Sequence, residues 1–252
     1  MTNPPPLYFK RNAVEPTVCI KAGWSLIKDQ YWLFLGMSLL TILIGGLVPF
    51  GILLGPMMCG VFLALFKRMR GETVDSGLFF KGFDYFGNSV VATLLHIIPV
   101  VIIVVPFYIS FYVGMFLMLR NTQNPSEMDP TTFITFIGFM VACVLVMTVL
   151  IIIISVVFTF AYPLIVDRKL SGLDAVKLSA KAAVANFWRL LGLLLLTSLL
   201  SMVGVLLCYV GVFLVLPVNF AALAVAYEQV FGLEQTQSQS QSPFPPPPPS
   251  FR

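Results

Sequence analysis

The chain has 252 residues, of which 58% are hydrophobic and 10% charged, with 15 Lys and Arg against 11 Asp and Glu and a net charge of +4. Soluble domains carry roughly 25% charged residues, so this composition argues against an ordinary soluble globular protein, and several apolar runs exceed the roughly 18 residues that cross a bilayer. The positive charge is not gathered on a folded basic module, which argues against nucleic acid as a partner.

In chain order, residues 1–16 read as a mobile polar tail with Pro4, Pro5 and Pro6 and the basic pair Lys10 and Arg11. The first fifteen residues lack the apolar core of a cleavable signal peptide. Over residues 17–30, Ile20, Trp24, Ile27 and Tyr31 fall at helical spacing, with Lys21, Ser25 and Lys28 on the neighbouring stripe. That spacing predicts an amphipathic helix, and its basic and aromatic content suits a membrane interface. A first span is expected over residues 32–48, a reversal at Gly45-Gly46 and Pro49-Phe50-Gly51, and a return leg over 52–66 closed by Lys67, Arg68 and Arg70. Both legs are short for a hydrocarbon core of about 30 Å.

Residues 71–87 mix Phe79, Phe80, Phe83, Tyr85 and Phe86 with Lys81 and Asp84, the pattern of a second surface-lying segment. Residues 88–119 and 131–163 form a central pair, each of about 32 residues or roughly 48 Å as helix, more than one crossing needs. Pro99 and Pro106 are expected to kink the first of them. The turn between them carries Glu127 and Asp129, and the connection after the second carries Asp167, Arg168 and Lys169. Residues 172–186 predict another amphipathic helix, with Asp174, Lys177 and Lys181 on one stripe and Val176, Ala180, Ala183 and Phe187 on the other. A last hairpin spans 190–207 and 210–227, and residues 233–252 become Gln/Ser-rich and then Pro-rich. Such a tail buries no core and is expected to be disordered with polyproline character.

The beginning of the chain returns near its end. At one fixed offset Lys21 falls on Lys177, Gln30-Tyr31-Trp32 on Asn186-Phe187-Trp188, Leu35-Gly36 on Leu191-Gly192, and Leu39-Leu40-Thr41 on Leu195-Leu196-Thr197. The copies cover residues 17–71 and 172–232, about the long hairpin at 88–163, and Ser76-Gly77-Leu78 with Ser171-Gly172-Leu173 hints at a degenerate third. Copies that enter the membrane in the same direction make a parallel repeat. Basic residues cluster before span one, between spans two and three, and between spans four and five, while Arg120 alone lies on the opposite side. The positive-inside rule then gives six crossings with both termini in the cytoplasm.

Chemistry is thinly provided. The apolar runs hold no Asp, Glu, Lys or Arg except near their ends, which speaks against a pump or ion-driven carrier. Cys19, Cys59, Cys143 and Cys208 are far apart and read as small buried hydrophobes, and His96 is the single histidine. There is no HExxH and no GxSxG. Catalytic, metal and cofactor residues are therefore expected to be none. The recurrent feature is basic: Lys21, Lys28, Lys177, Lys181 and Arg189 are the candidate contacts for anionic lipid headgroups.

The run from Ser171-Gly172-Leu173-Asp174-Ala175 to Asn186-Phe187-Trp188-Arg189-Leu190-Leu191-Gly192 resembles bacterial six-helix membrane families of the domain-of-unknown-function type. Among these is the membrane domain fused to some glycerophosphodiester phosphodiesterases. The resemblance covers about residues 16–232 and implies a helical membrane domain with no activity attached, since the phosphodiesterase module is absent. The sequence thus predicts an all-α polytopic protein of the bacterial inner membrane, with six spans and cytoplasmic interfacial helices. The expected role is a non-enzymatic scaffold or accessory subunit, partnered by membrane lipids and other membrane subunits. The alternative is a lipid-handling or small-molecule transport protein using a cleft between the copies.

Overall fold

The computed structural model describes residues 8–47, 51–121, 130–206 and 210–233. Every regular element among them is helical. Helix α1 (Pro16–Ile27) opens on a proline, whose missing N–H would have had no helical partner there. A 3-10 turn at Lys28–Gln30 leads into α2 (Tyr31–Leu47), and α3 (Leu54–Met69) returns with Lys67 and Arg68 in its last turn, where cations face the negative end of the helix dipole. The short α4 (Gly77–Phe80) and a second 3-10 turn at Lys81–Tyr85 precede α5 (Phe86–Asn121) and α6 (Pro130–Phe158). Then come α7 (Ala161–Arg168), α8 (Gly172–Ala185), α9 (Phe187–Leu206) and α10 (Val210–Phe231).

Five stretches among the described residues are long and apolar enough to cross a membrane: Pro16–Gly46, Gly77–Met118, Phe133–Arg168, Phe187–Leu206 and Val210–Phe231. The return leg α3 has 16 residues and is not among them. The predicted leg 131–163 is broken in the structure, with α6 ending at Phe158 and α7 starting at Ala161. Pro163 explains the break, because it has no N–H for the carbonyl four residues back. Ser179 of α8 repairs the joint, its Oγ donating to the Val157 carbonyl (2.6 Å) and accepting from the Phe160 N–H (3.1 Å). By contrast α5 runs as one helix through both Pro99 and Pro106.

The faces that α1 and α8 bury against the protein differ from the apolar stripes read in the sequence. In α1 the buried residues are Cys19, Gly23 and Ile27, while Trp24 is half exposed. In α8 they include Ala175, Ser179 and Ala182, one position round from Val176, Ala180 and Ala183, although Ala183 is itself buried. Small residues face the protein because they allow close backbone approach. A Cβ on Gly23 would stand 2.8 Å from the Ala222 nitrogen of α10. Gly82 sits against Gly60 of α3 in the same way. Thus α1 packs on α10, α4 and its 3-10 turn on α3, and α8 on α6 and α5.

The central hairpin outgrows this bundle. Helices α5 and α6 have 36 and 29 residues, about 54 and 44 Å, whereas α2 and α3 reach about 26 and 24 Å. Gly51, shortly before α3, stands at the level of Ile97, whose Cδ1 would lie 3.5 Å from a Cβ on it. Beyond Ile97, α5 continues for about 24 residues, roughly 36 Å. There Gly114 abuts Phe136 and the Phe111 and Phe136 rings lie 6.4 Å apart. The outward faces expose Ile102, Tyr108, Ile109 and Phe116 on one leg and Ile134, Leu145 and Val149 on the other.

Substituting Gly23 by alanine should overpack the α1–α10 contact and destabilise the fold by about 1–3 kcal/mol. Gly36→Ala, with nothing within 4 Å of the added carbon, should be neutral or slightly stabilising. Thermal unfolding of both variants in detergent checks the contrast: equal melting temperatures would contradict the packing.

Candidate functional site

The joint between α8 and α9 is a single residue, Asn186, fully buried. Its Oδ1 accepts from the Ala13 N–H (2.9 Å), and its Nδ2 donates to the carbonyls of Lys10 (3.0 Å) and Ala182 (2.9 Å). One side chain thereby ties the extended segment before α1 to the corner of α8 and α9. Other bonds hold the same segment. The Lys10 N–H donates to Val230 of α10 (2.8 Å), the Glu15 N–H to Gln229 Oε1 (2.9 Å), and Arg189 Nη1 to the Val14 carbonyl (3.2 Å). Gln30, which the sequence aligns with Asn186, makes the matching clamp at the α1–α2 corner. Its Nε2 donates to the Val74 carbonyl (3.2 Å) and its Oε1 accepts from the Val74 N–H (3.4 Å), just before α4.

Held in this way, residues 9–12 arch over one face of α8 and enclose a groove of about 790 Å³. Arg11 and Asn12 line it from the segment, Lys181 from α8, and Phe9, Val184 and Ala185 give it apolar walls. Asn12 takes a positive φ of 50° at the turn of the arch. Neither Arg11 nor Lys181 has a carboxylate partner among the described residues. Val184, 71% exposed, and Trp188, 79% exposed, continue the face of Lys181 towards α9.

Of the five predicted headgroup contacts, Lys181 lines this groove. Lys21 on α1, Lys28 on the 3-10 turn after it and Lys177 on α8 are exposed. Arg189 is exposed too, and its guanidinium holds the Val14 carbonyl. Arg11, part of the polar segment before α1, becomes a groove residue because Asn186 fixes the backbone on either side of it. Asn186 itself was legible as a repeated amide, but without its role.

A second polar centre went unnoticed in the sequence because its members are scattered. Asp167, whose side chain is fully buried, lies 3.0 Å from Arg168 Nε and 3.8 Å from Arg70, and accepts from the Tyr227 hydroxyl at 2.7 Å. Arg168 Nη2 donates to the carbonyls of Phe231 (3.3 Å) and Gly232 (3.0 Å), which caps the end of α10. Rings of Phe66, Phe160 and Phe231 surround Tyr227. With its carboxylate engaged by three groups, the centre joins α3, α7 and α10 as a structural lock.

Three of the cysteines are free: Cys19 and Cys59 are buried and Cys143 half-buried, while Cys208 lies outside the described residues. His96 stacks on Phe158 at 4.7 Å. Among the described residues no three His, Cys, Asp or Glu side chains cluster as metal ligands. Glu127, Asp129, the first prolines and the residues beyond Leu233 lie outside the described residues. No family model, curated protein or solved structure matches this chain.

Asn186→Ala would strand the Ala13 N–H and the Lys10 carbonyl, each net bond being worth about 1 kcal/mol. Amide hydrogen exchange at residues 10–15 should accelerate at least tenfold while α10 stays protected, and unchanged exchange would refute the clamp. At the lock, Asp167→Ala leaves arginines without their carboxylate and should cost roughly 3–5 kcal/mol. Tyr227→Phe removes one bond to a charge and should cost about 1.5–3 kcal/mol. Melting temperatures should therefore fall in that order.

Proposed function

We propose that this chain is a multi-pass integral membrane protein acting, without catalysis, as a scaffold or accessory subunit of a larger membrane complex. The observation that carries this reading is the α5–α6 hairpin. Past Ile97 its exposed side chains are mostly apolar, with Ser110, Thr135 and Thr148 among the polar exceptions, and its two legs pack on each other through Gly114, Phe111 and Phe136. Its free length of roughly 36 Å matches a hydrocarbon core by itself, so it offers two transmembrane helices to neighbours in the bilayer. A polar patch of Thr197, Ser198, Ser201 and Asn219 on α9 and α10 offers a second contact of the kind that bonds helices in lipid.

In the same reading the short α2–α3 hairpin is counted as two crossings, six in all, with thinning or tilt making up its length. The matched clamps of Gln30 and Asn186, and the shared buried positions Phe34 and Leu190, Met37 and Leu193, and Thr41 and Thr197, support a parallel repeat. Each surface helix seated on the return leg of another hairpin supports the same view. The distribution of basic residues supports a cytoplasmic position for these helices and both termini, at the bacterial inner membrane. This is the architecture that the resemblance to six-helix membrane families implies.

Photo-cross-linking from Tyr112 and Phe139 in native membranes tests the scaffold role. Discrete adducts with one protein are expected from both positions, and adducts with lipid alone would defeat it. A lipid-handling role is the second reading, favoured by the groove beside Lys181.

A further inference from the structure

We infer that the groove between residues 9–12 and α8 is a binding site for a phosphate group, with Arg11 and Lys181 as its cationic partners. The inference rests on the membrane placement above and is independent of the scaffold role. It follows from what the groove contains. Two cations reach it from segments far apart in sequence, and neither has an acidic neighbour to neutralise it among the described residues. The planar guanidinium suits paired oxygens and the ammonium supplies a compact charge, the combination by which proteins hold phosphates.

A comparison within the chain sharpens the point. Ser25 of α1 stands where the repeat puts Lys181, and it too lines a groove, of about 480 Å³, beside Leu26 and Arg68. There the single arginine is already satisfied: Arg68 pairs with Asp29 at 2.8 Å and donates to the Leu26 carbonyl at 3.1 Å. The first groove closes its own charge, while the second, with two cations and no carboxylate, leaves its charge for a ligand. The arch is also held in advance of binding. Asn186 and Val230 fix Lys10 on one side of Arg11, and Asn186 and Arg189 fix Ala13 and Val14 on the other. Little ordering therefore remains for the backbone when an anion enters.

The walls indicate which carrier fits. Phe9 and Val184 are apolar, and Trp188, just past the Asn186 corner at the start of α9, adds an exposed aromatic that would lie at the headgroup level. An anionic phospholipid would set its phosphate between Arg11 and Lys181 and its chains along Val184 and Trp188. A free phosphate would use the cations alone.

The test is native mass spectrometry of the full chain from neutral-detergent micelles doped equally with phosphatidylglycerol and phosphatidylcholine. Wild type should retain phosphatidylglycerol in preference to phosphatidylcholine. The double variant R11Q/K181Q should retain about tenfold to thirtyfold less, as expected for two charges near a headgroup. K81Q/K169Q, which removes the same charge at two exposed lysines outside the candidate headgroup contacts, should behave as wild type. Displacement of the bound lipid by millimolar inorganic phosphate would assign the site to the phosphate alone, and resistance to it would assign the site to the whole lipid. Equal retention by wild type and R11Q/K181Q at matched melting temperature, or equal retention of both lipids, would overturn the site. Release of the chain from membranes by alkaline carbonate would instead overturn the membrane placement on which it rests.

Discussion

A helix that lies flat on a bundle and then turns into it must satisfy the backbone groups released at the corner, and in this chain an amide side chain does so twice. Asn186 and Gln30 each stand where a shorter helix, α8 or α1, gives way to a long apolar one, and each accepts from one backbone N–H and donates to a backbone carbonyl of a distant segment. The bond pattern fixes more than the corner. Through Ala13 and Val74 it ties each corner to the segment that leads into another helix, α1 or α4. Removing water from such a joint makes unpaired groups expensive, which is why a residue able to donate and accept at once occupies both positions.

Side-chain size then sets the faces. Gly23 against Ala222, Gly82 against Gly60, and Ala175, Ser179 and Ala182 along α8 let backbones approach closely. The larger apolar residues Trp24, Val184 and Trp188 are left outside. In water those would be the buried ones. Small residues let these backbones approach closely, beside a core that also buries large side chains such as Phe34, Phe62, Phe66, Leu164 and Leu190.

The polar residues divide by the same logic. Asp167, Arg168, Arg70 and Tyr227 converge where α3, α7 and α10 end, and they neutralise and bond one another. Arg68 and Asp29 do so at the surface. Arg11 and Lys181 are brought together with no carboxylate to match them, and the α5–α6 hairpin rises beyond the bundle with apolar faces outward. The first set explains how the fold holds, and the second is where ligands and partners are to be sought.

The all-helical class and the long apolar stretches were legible from the sequence, because length and hydropathy depend on local composition alone. The recurrence of Lys21, Gln30, Tyr31 and Trp32 as Lys177, Asn186, Phe187 and Trp188 was legible for the same reason. Local pattern could not tell which face of α1 or α8 is buried, because that depends on how closely α10 and α6 approach. It could not place the break before α7, which required Ser179 from another helix to take up the groups released around Pro163. Nor could it pair Arg11 with Lys181 or Asp167 with Tyr227, contacts between residues far apart in the chain. Composition determined what kind of protein this is, whereas the meeting of charges waited on the bonds that bring distant segments to one corner.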